Sequence, residues 1–205
     1  MSETDHRMPR LLIVDDEEVV RESLGGWFRE EGYDVTTTSS AKEALRLIQE
    51  QRWDACLTDI KMPGMDGIEL QKRLHEIDAD MAVIVMTAYA SVDTAVAALK
   101  AGAFDYITKP FDPEDLARLV AKAVDFKRLE RENRALKERI DEESPLDQIV
   151  GEDPSMKRLK EMIRTVGPTD SSVLIIGESG TGKELVARSV HGLSARRYMP
   201  LVTVN

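Results

Sequence analysis

The chain places polar side chains where apolar runs stop. Leu11-Leu12-Ile13-Val14 ends at Asp15-Asp16, and the run from Trp53 to Thr58 ends at Asp59. Val83-Ile84-Val85-Met86 ends at Thr87, and Tyr106-Ile107-Thr108 ends at Lys109. In an open parallel sheet, ligands gather at the carboxyl ends of the strands. If each run is such a strand, one edge collects three carboxylates, a hydroxyl and an ammonium. A carboxylate such as Asp59 can attack a phosphoryl group and form an acyl phosphate. The obstacle is the meeting of two anions. A Mg2+ ion relieves it by bridging oxygens, and Mg2+ favours carboxylates and waters in octahedral geometry. Asp15 and Asp16 supply further carboxylates, Lys109 a point positive charge and Thr87 a hydroxyl donor. Each residue alone is an ordinary solvated strand end; the joint pattern points to metal-assisted phosphoryl chemistry.

A second cluster is Gly177-Glu178-Ser179-Gly180-Thr181-Gly182-Lys183. It follows the apolar run Val173-Leu174-Ile175-Ile176, expected as a buried strand, and precedes a helical segment reaching about Ser194. That context fits a phosphate-binding loop, whose backbone amides and helix N-terminus cradle phosphates while Lys183 reaches the outer ones. The bland alternative is a glycine-rich turn. One departure matters: the usual Ser or Thr after the lysine is Glu184.

These groups need elements to position them. Residues 10 to about 122 alternate short apolar runs with amphipathic stretches, which implies a parallel sheet covered by helices. The first helix should start near Glu17, bury Val20, Leu24, Trp27 and Phe28, and stop at Gly32. A short strand is expected over Tyr33–Thr37. Ser40 with Glu43 reads as a capping box before Ala44, Leu45 and Ile48. Lys61 to Gly67 is a loop by its Pro and Gly content. Helices are expected near Ile68–His75 and Val92–Ala101. Asp112 is placed to cap a last helix, with Pro113 at its first position.

That helix continues into a heptad with Phe126, Asn133 and Ile140 at a and Leu129 and Leu136 at d. Asn133 at a favours a defined register in a two-stranded parallel coil, and Glu132 at g and Lys137 at e can pair between chains. The alternative is a solvated linker helix, ended by Ser144-Pro145. Beyond it, Val150–Val166 reads as an amphipathic helix with Met156, Leu159, Met162 and Ile163 on one side. A last short strand is expected over Leu201–Val204.

Composition narrows the class. The 205 residues carry a net charge of −10, which argues against a nucleic-acid surface spread over the whole chain. The single cysteine, Cys56, has no internal disulfide partner, so the chain reads as cytoplasmic and the thiol as a small buried apolar group. The polar stretch Met1–Arg10 lacks a signal-peptide core, and no apolar run reaches the roughly 20 residues a bilayer crossing needs. His6, His75 and His191 show no metal-ligand spacing.

Taken together, Leu11–Glu17, Asp59 with Lys61-Met62-Pro63-Gly64 and Asp66-Gly67, Thr87-Ala88 and Lys109-Pro110-Phe111 resemble the receiver domain of bacterial response regulators. The resemblance implies a flavodoxin-like, doubly wound, five-stranded parallel sheet. It implies Asp59 as phosphoacceptor, with Mg2+ held by Asp15, Asp16, Asp59 and the Lys61 backbone carbonyl. Thr87 and Lys109 would contact the phosphoryl group, and the Lys109-Pro110 bond would be cis. Tyr106 matches the switch aromatic that turns inward with Thr87, although a half-buried strand tyrosine explains it equally.

Ile149-Val150-Gly151 and Gly177–Glu184, continuing as Leu185-Val186-Ala187-Arg188, look like the start of the AAA+ ATPase domain of sigma-54-dependent activators. That family carries Glu at the position of Glu184. Receiver (8–124), helical coiled-coil linker (125–145) and incomplete P-loop AAA+ domain (146–205) in series resemble the nitrogen-regulatory type of response regulator. The resemblance implies a sensor histidine kinase as phosphodonor, a homodimer through receiver and linker, and ATP in the complete AAA+ domain. Sigma-54 RNA polymerase and DNA are expected only through parts this chain lacks: no acidic Walker B strand, arginine finger or helix-turn-helix is present, so ATP turnover is not expected. Two other readings compete: a stand-alone receiver draining phosphoryl groups beside an inert ATPase remnant, and a small-molecule P-loop kinase with a regulatory receiver. Glu184 and the missing acidic strand count against the latter.

Overall fold

The computed structural model describes residues 7–88, 92–142 and 145–204. The chain divides into two compact units, Met1–Arg131 and Glu132–Asn205.

In the first unit the strands are β1 (Arg10–Val14), β2 (Asp34–Thr38), β3 (Ala55–Asp59), β4 (Ala82–Thr87) and β5 (Asp105–Thr108). All ladders are parallel, in the order β2-β1-β3-β4-β5. Parallel neighbours require crossovers, which α1 (Glu18–Glu30), α2 (Ala41–Glu50), α3 (Gly67–Ile77) and α4 (Val92–Lys100) provide, and α5 (Pro113–Glu142) follows β5. Period-two alternation divides the sheet residues between two faces. Leu11, Ile13, Leu57 and Ile84 pack with Leu24 and Phe28 of α1 and with Leu116 and Val120 of α5. Leu12, Val14, Cys56 and Val83 pack with Ala44 and Ile48 of α2 and with Leu70 and Leu74 of α3. Each fully buried Leu, Ile, Val or Phe contributes about 1.5–3 kcal/mol of transfer free energy. Burial on both faces explains why the central strands are apolar runs rather than alternating patterns.

Local signals act mostly as expected. Gly32 takes the left-handed φ of +88° just past α1. The Asp66 carboxylate accepts from the Glu69 amide at 2.7 Å and caps α3. Asp112 accepts from the Glu114 amide at 2.9 Å, with Pro113 opening α5. The Ser40–Glu43 capping box does not form. Ser40 holds the N-cap position without a side-chain bond, and Glu43 pairs instead with Arg46 at 2.6 Å on the exposed face. A charged partner one turn away outcompetes a lone amide for that carboxylate.

The second unit is helical: a short 3-10 turn (Pro145–Gln148), α6 (Pro154–Val166) and α7 (Lys183–Gly192). Its core is Leu146, Ile149 and Ile163, with Met156, Leu159, Leu185, Val186, Val190 and Leu193 against it. Several expectations need correction here. α6 begins at Pro154, capped by Asp153, so Val150 lies outside it and is 88% exposed. Met162 is exposed rather than in the core. Val173–Ile176 and Leu201–Val204 are not strands; Leu174 and Ile176 are 84% and 86% exposed. A parallel strand exists only with a neighbour to complete its ladder, and the described residues of this unit contain none. No helix among the described residues is long and apolar enough to cross a membrane.

Candidate functional site

The strand order puts the carboxyl ends of β1, β3, β4 and β5 side by side, with β3 between β1 and β4. Asp15 directly follows β1, Asp59 and Thr87 are the last residues of β3 and β4, and Lys109 directly follows β5. The sequence-predicted groups therefore share one edge. The Lys109 ammonium lies 2.7 Å from Asp15 Oδ2 and 2.8 Å from Asp59 Oδ1. Asp15 is fully buried, and Asp59 and Thr87 are nearly so. Asp15 Oδ1 accepts from the Glu17 amide at 2.9 Å, and Asp59 Oδ2 from the Lys61 amide at 2.7 Å. Backbone amides thus fix both carboxylates from one side while Lys109 draws them together from the other.

Burial alone would lower the Lys109 pKa. Hydrogen bonds and charges from Asp15 and Asp59 outweigh it, and the ammonium is held above its ordinary value. Lys109 stays cationic at any physiological pH.

Thr87 is joined to the same corner through its backbone, its carbonyl accepting from the Lys109 amide at 2.7 Å. The Lys109-Pro110 bond is cis, as the resemblance implies. Asp16, Asp59, Lys61, Thr87 and Lys109 all line one cavity of about 190 Å³, together with Glu17, Ile60 and Ala88. Asp16 is exposed at its rim. Tyr106 pairs with Val85 across the β4–β5 ladder. It packs half-buried against Val85, Ala98 and Ala103, beside α4 rather than in the cavity lining.

One glycine is more constrained than the sequence reading showed. Gly67 appeared there as part of a loop and of the Asp66-Gly67 pair in the receiver resemblance, and a Cβ built on it falls 2.1 Å from the Asp59 carbonyl oxygen. The start of α3 therefore lies against the end of β3, and only glycine permits it. The Asp66-Gly67 pair carried the signal, but the close approach is a tertiary fact.

The donors on this edge are oxygens, which suits a small hard cation such as Mg2+. Among the described residues no three His, Cys, Asp or Glu side chains converge at ligand spacing. Mg2+ needs fewer, since it commonly binds through one or two carboxylates and keeps several waters. The residues present fit that mode.

In the second unit, Gly177–Gly182 is an exposed turn running into α7 at Lys183, with Gly180 and Gly182 at φ of +83° and +85°. Neither glycine admits a side chain without strain. The Lys183 ammonium folds back on the loop, donating to the carbonyls of Gly177 at 2.9 Å and Glu178 at 2.6 Å. Thr181 Oγ1 donates to the Glu178 carbonyl at 2.8 Å. Glu184 points along α7 to Arg188, 2.7 Å away. Ser179 is exposed in the same turn.

A parallel 2-1-3-4-5 sheet with acidic groups and a lysine on its carboxyl edge defines the receiver class. The response regulator receiver domain matches residues 11–121, and the sigma-54 interaction domain matches residues 149–205. The chain belongs to the response regulator family, with a receiver followed by the beginning of a sigma-54 interaction domain. It is 41% identical over 204 residues to the transcriptional regulatory protein ZraR of Escherichia coli K12, covering 95% of this chain and 43% of that protein. It is 40% identical over 196 residues to the regulatory protein AtoC of the same organism, covering 96% of this chain and 42% of that protein. The chain thus spans less than half the length of these relatives. NtrX from Brucella abortus superimposes with a TM-score of 0.63 at 34% identity, covering 96% of this chain and 43% of that one. That protein has also been solved in complex with ADP and with ATP. A receiver domain from Methanospirillum hungatei gives 0.58 at 36% identity, covering 60% of this chain and 98% of that one.

Proposed function

We propose that this chain is the signal-receiving part of a two-component regulator of sigma-54-dependent transcription, phosphorylated on Asp59 by a sensor histidine kinase. The observation that carries the reading is Lys109 bridging Asp15 and Asp59 beside Thr87. A carboxylate oxygen of Asp59 attacks phosphorus, the new O–P bond forms as the donor's bond to phosphorus breaks, and an acyl phosphate results. Mg2+, bound by Asp15, Asp16, Asp59 and the Lys61 carbonyl, would supply charge neutralisation. Lys109 then turns from its carboxylates to a phosphoryl oxygen, and the Thr87 hydroxyl donates to another. The phosphoryl group brings about −2 charge and strong acceptors to a buried corner. Drawing Thr87 inward frees space beside α4 for Tyr106, which would reshape the receiver surface.

The division into receiver (8–124), linker (125–145) and AAA+ region (146–205) belongs to this reading. So does a homodimer through receiver and linker. Phe126, Leu129, Leu136 and Ile140 of α5 are between 44% and 59% exposed, a stripe that invites a second copy. Gly177–Glu184 would hold the phosphates of ATP, with Lys183 leaving its loop carbonyls for them. Sigma-54 polymerase and DNA would be partners of the whole regulator.

The test is labelling by a small radioactive phosphodonor with Mg2+. The wild-type chain should label in an alkali-labile, hydroxylamine-labile form, and Asp59→Asn should lose at least about 90% of that label. Equal labelling of the variant would end the assignment.

A further inference from the structure

The opposite, amino edge of the sheet carries a buried carboxylate that phosphoryl chemistry does not use. Asp54 immediately precedes β3, and its side chain is 10% exposed. Its Oδ2 accepts from the Arg10 amide at 2.9 Å, while Oδ1 lies 3.3 Å from Arg7 and 3.9 Å from Arg131. Arg131 belongs to α5, beyond the last α5 residue buried in the sheet core, Ala123. Its Nε is buried without a hydrogen-bond partner, a cost that a surface arginine escapes by extending into water. The side chain as a whole is 26% exposed, and its Nη2 end reaches the Asp54 carboxylate.

A second tether lies one turn earlier. The Lys127 ammonium donates to the Ala79 carbonyl at 3.1 Å, on the α3–β4 connection. On the flank, the Phe126 ring meets Phe104, with centroids 5.7 Å apart. Lys127 and Arg131 are spaced i, i+4 and so share one helix face. Leu129 is two positions from each, hence on the reverse face, and it is 59% exposed. By helical periodicity Asn133, Leu136 and Ile140 follow the face of Leu129.

We infer that Asp54 is a positioning residue: through Arg131 it pins one face of α5 to the amino edge of the receiver and so fixes the rotation at which the opposite, apolar face is offered to a second copy of this chain. The inference rests on the dimer reading above. The second copy is the occupant because the heptad supplies its own complement, Glu132 against Lys137, around a matched apolar seam. A helix free to spin would offer that seam at any angle. A pinned helix lets a rearrangement within the receiver reach the partner as a rotation.

The test uses the full chain and keeps clamp and dimer apart. Arg131→Gln and Asp54→Asn, which retains an acceptor for the Arg10 amide, are made singly and together. Each is repeated in a Leu136→Asp background that disrupts the seam. Amide hydrogen exchange over residues 125–132 reads the clamp, and sedimentation mass reads the dimer. In the monomeric background both single variants should exchange about tenfold faster there than their parent, and the double variant no faster than either single one. In the seam-intact background the same variants should weaken dimerisation. Unchanged exchange, or fully additive effects, would overturn the clamp. A chain that is monomeric with or without Leu136→Asp, yet shows the coupled exchange, would overturn the dimer reading and leave Asp54 as an intramolecular tether only.

Discussion

Gly67 shows how tightly Asp59 is held. With 2.1 Å between its hypothetical Cβ and the Asp59 carbonyl oxygen, any side chain must push β3 and α3 apart. Gly67→Ala should therefore destabilise the chain by about 2–3 kcal/mol, the cost of overpacking a closed site. It should also slow phosphorylation, because the Asp59 carboxylate moves with its backbone. Urea denaturation checks the first effect and labelling rate the second; a midpoint equal to wild type would show that the contact relaxes freely. Cys56 behaves as its setting in an apolar run suggested. Burial pushes its thiol up to about 12, so it is a packing group and not a nucleophile.

At the level of elements, what the sequence made legible was what local rules dictate. The strand runs, Gly32, Asp112 with Pro113, and the edge carrying Asp15, Asp59, Thr87 and Lys109 all follow from periodicity and turn chemistry. Ser40 with Glu43 misled because a capping box and an i, i+3 ion pair draw on the same carboxylate. Val173–Ile176 misled because composition reports what a segment would bury, whereas a strand also needs a ladder partner. The close approach at Gly67 and the pairing of Asp54 with Arg131 were not legible for a related reason: both are contacts between residues distant in sequence. The exposed run has a consequence. Amides of residues 173–176 should exchange with solvent at near-unprotected rates, while those of β3 and β4 should be protected by about 10³ or more. Comparable protection in both would mean that the run is paired in solution.

For the whole molecule, alkaline pH offers a sensitive readout of the site's charges. Lys109 has a folded pKa above its ordinary value because Asp15 and Asp59 overcome the effect of burial. Tyr33 is also raised, by burial first and then by the charges of Asp125 and Glu31. A group whose folded pKa exceeds its unfolded one contributes stability that is complete below the unfolded value and lost as pH climbs through the folded value. Both groups act in that sense, above about pH 10. Stability should hold level up to that point and then fall, and Lys109→Met and Tyr33→Phe should each flatten the fall. Denaturant midpoints from pH 8 upward measure this. An undiminished alkaline fall in Lys109→Met would mean that the bridge to Asp15 and Asp59 is not held in solution.

The most direct measurement is the chemical trapping of the phosphorylated residue. The chain is treated with a small phosphodonor and Mg2+, reduced with borohydride, digested and sequenced by tandem mass spectrometry. Reduction of an aspartyl phosphate leaves a side chain shortened by one oxygen, and that signature should appear at position 59 and nowhere else. The signature at any other residue, or none while the chain still carries label, would contradict Asp59 as the acceptor.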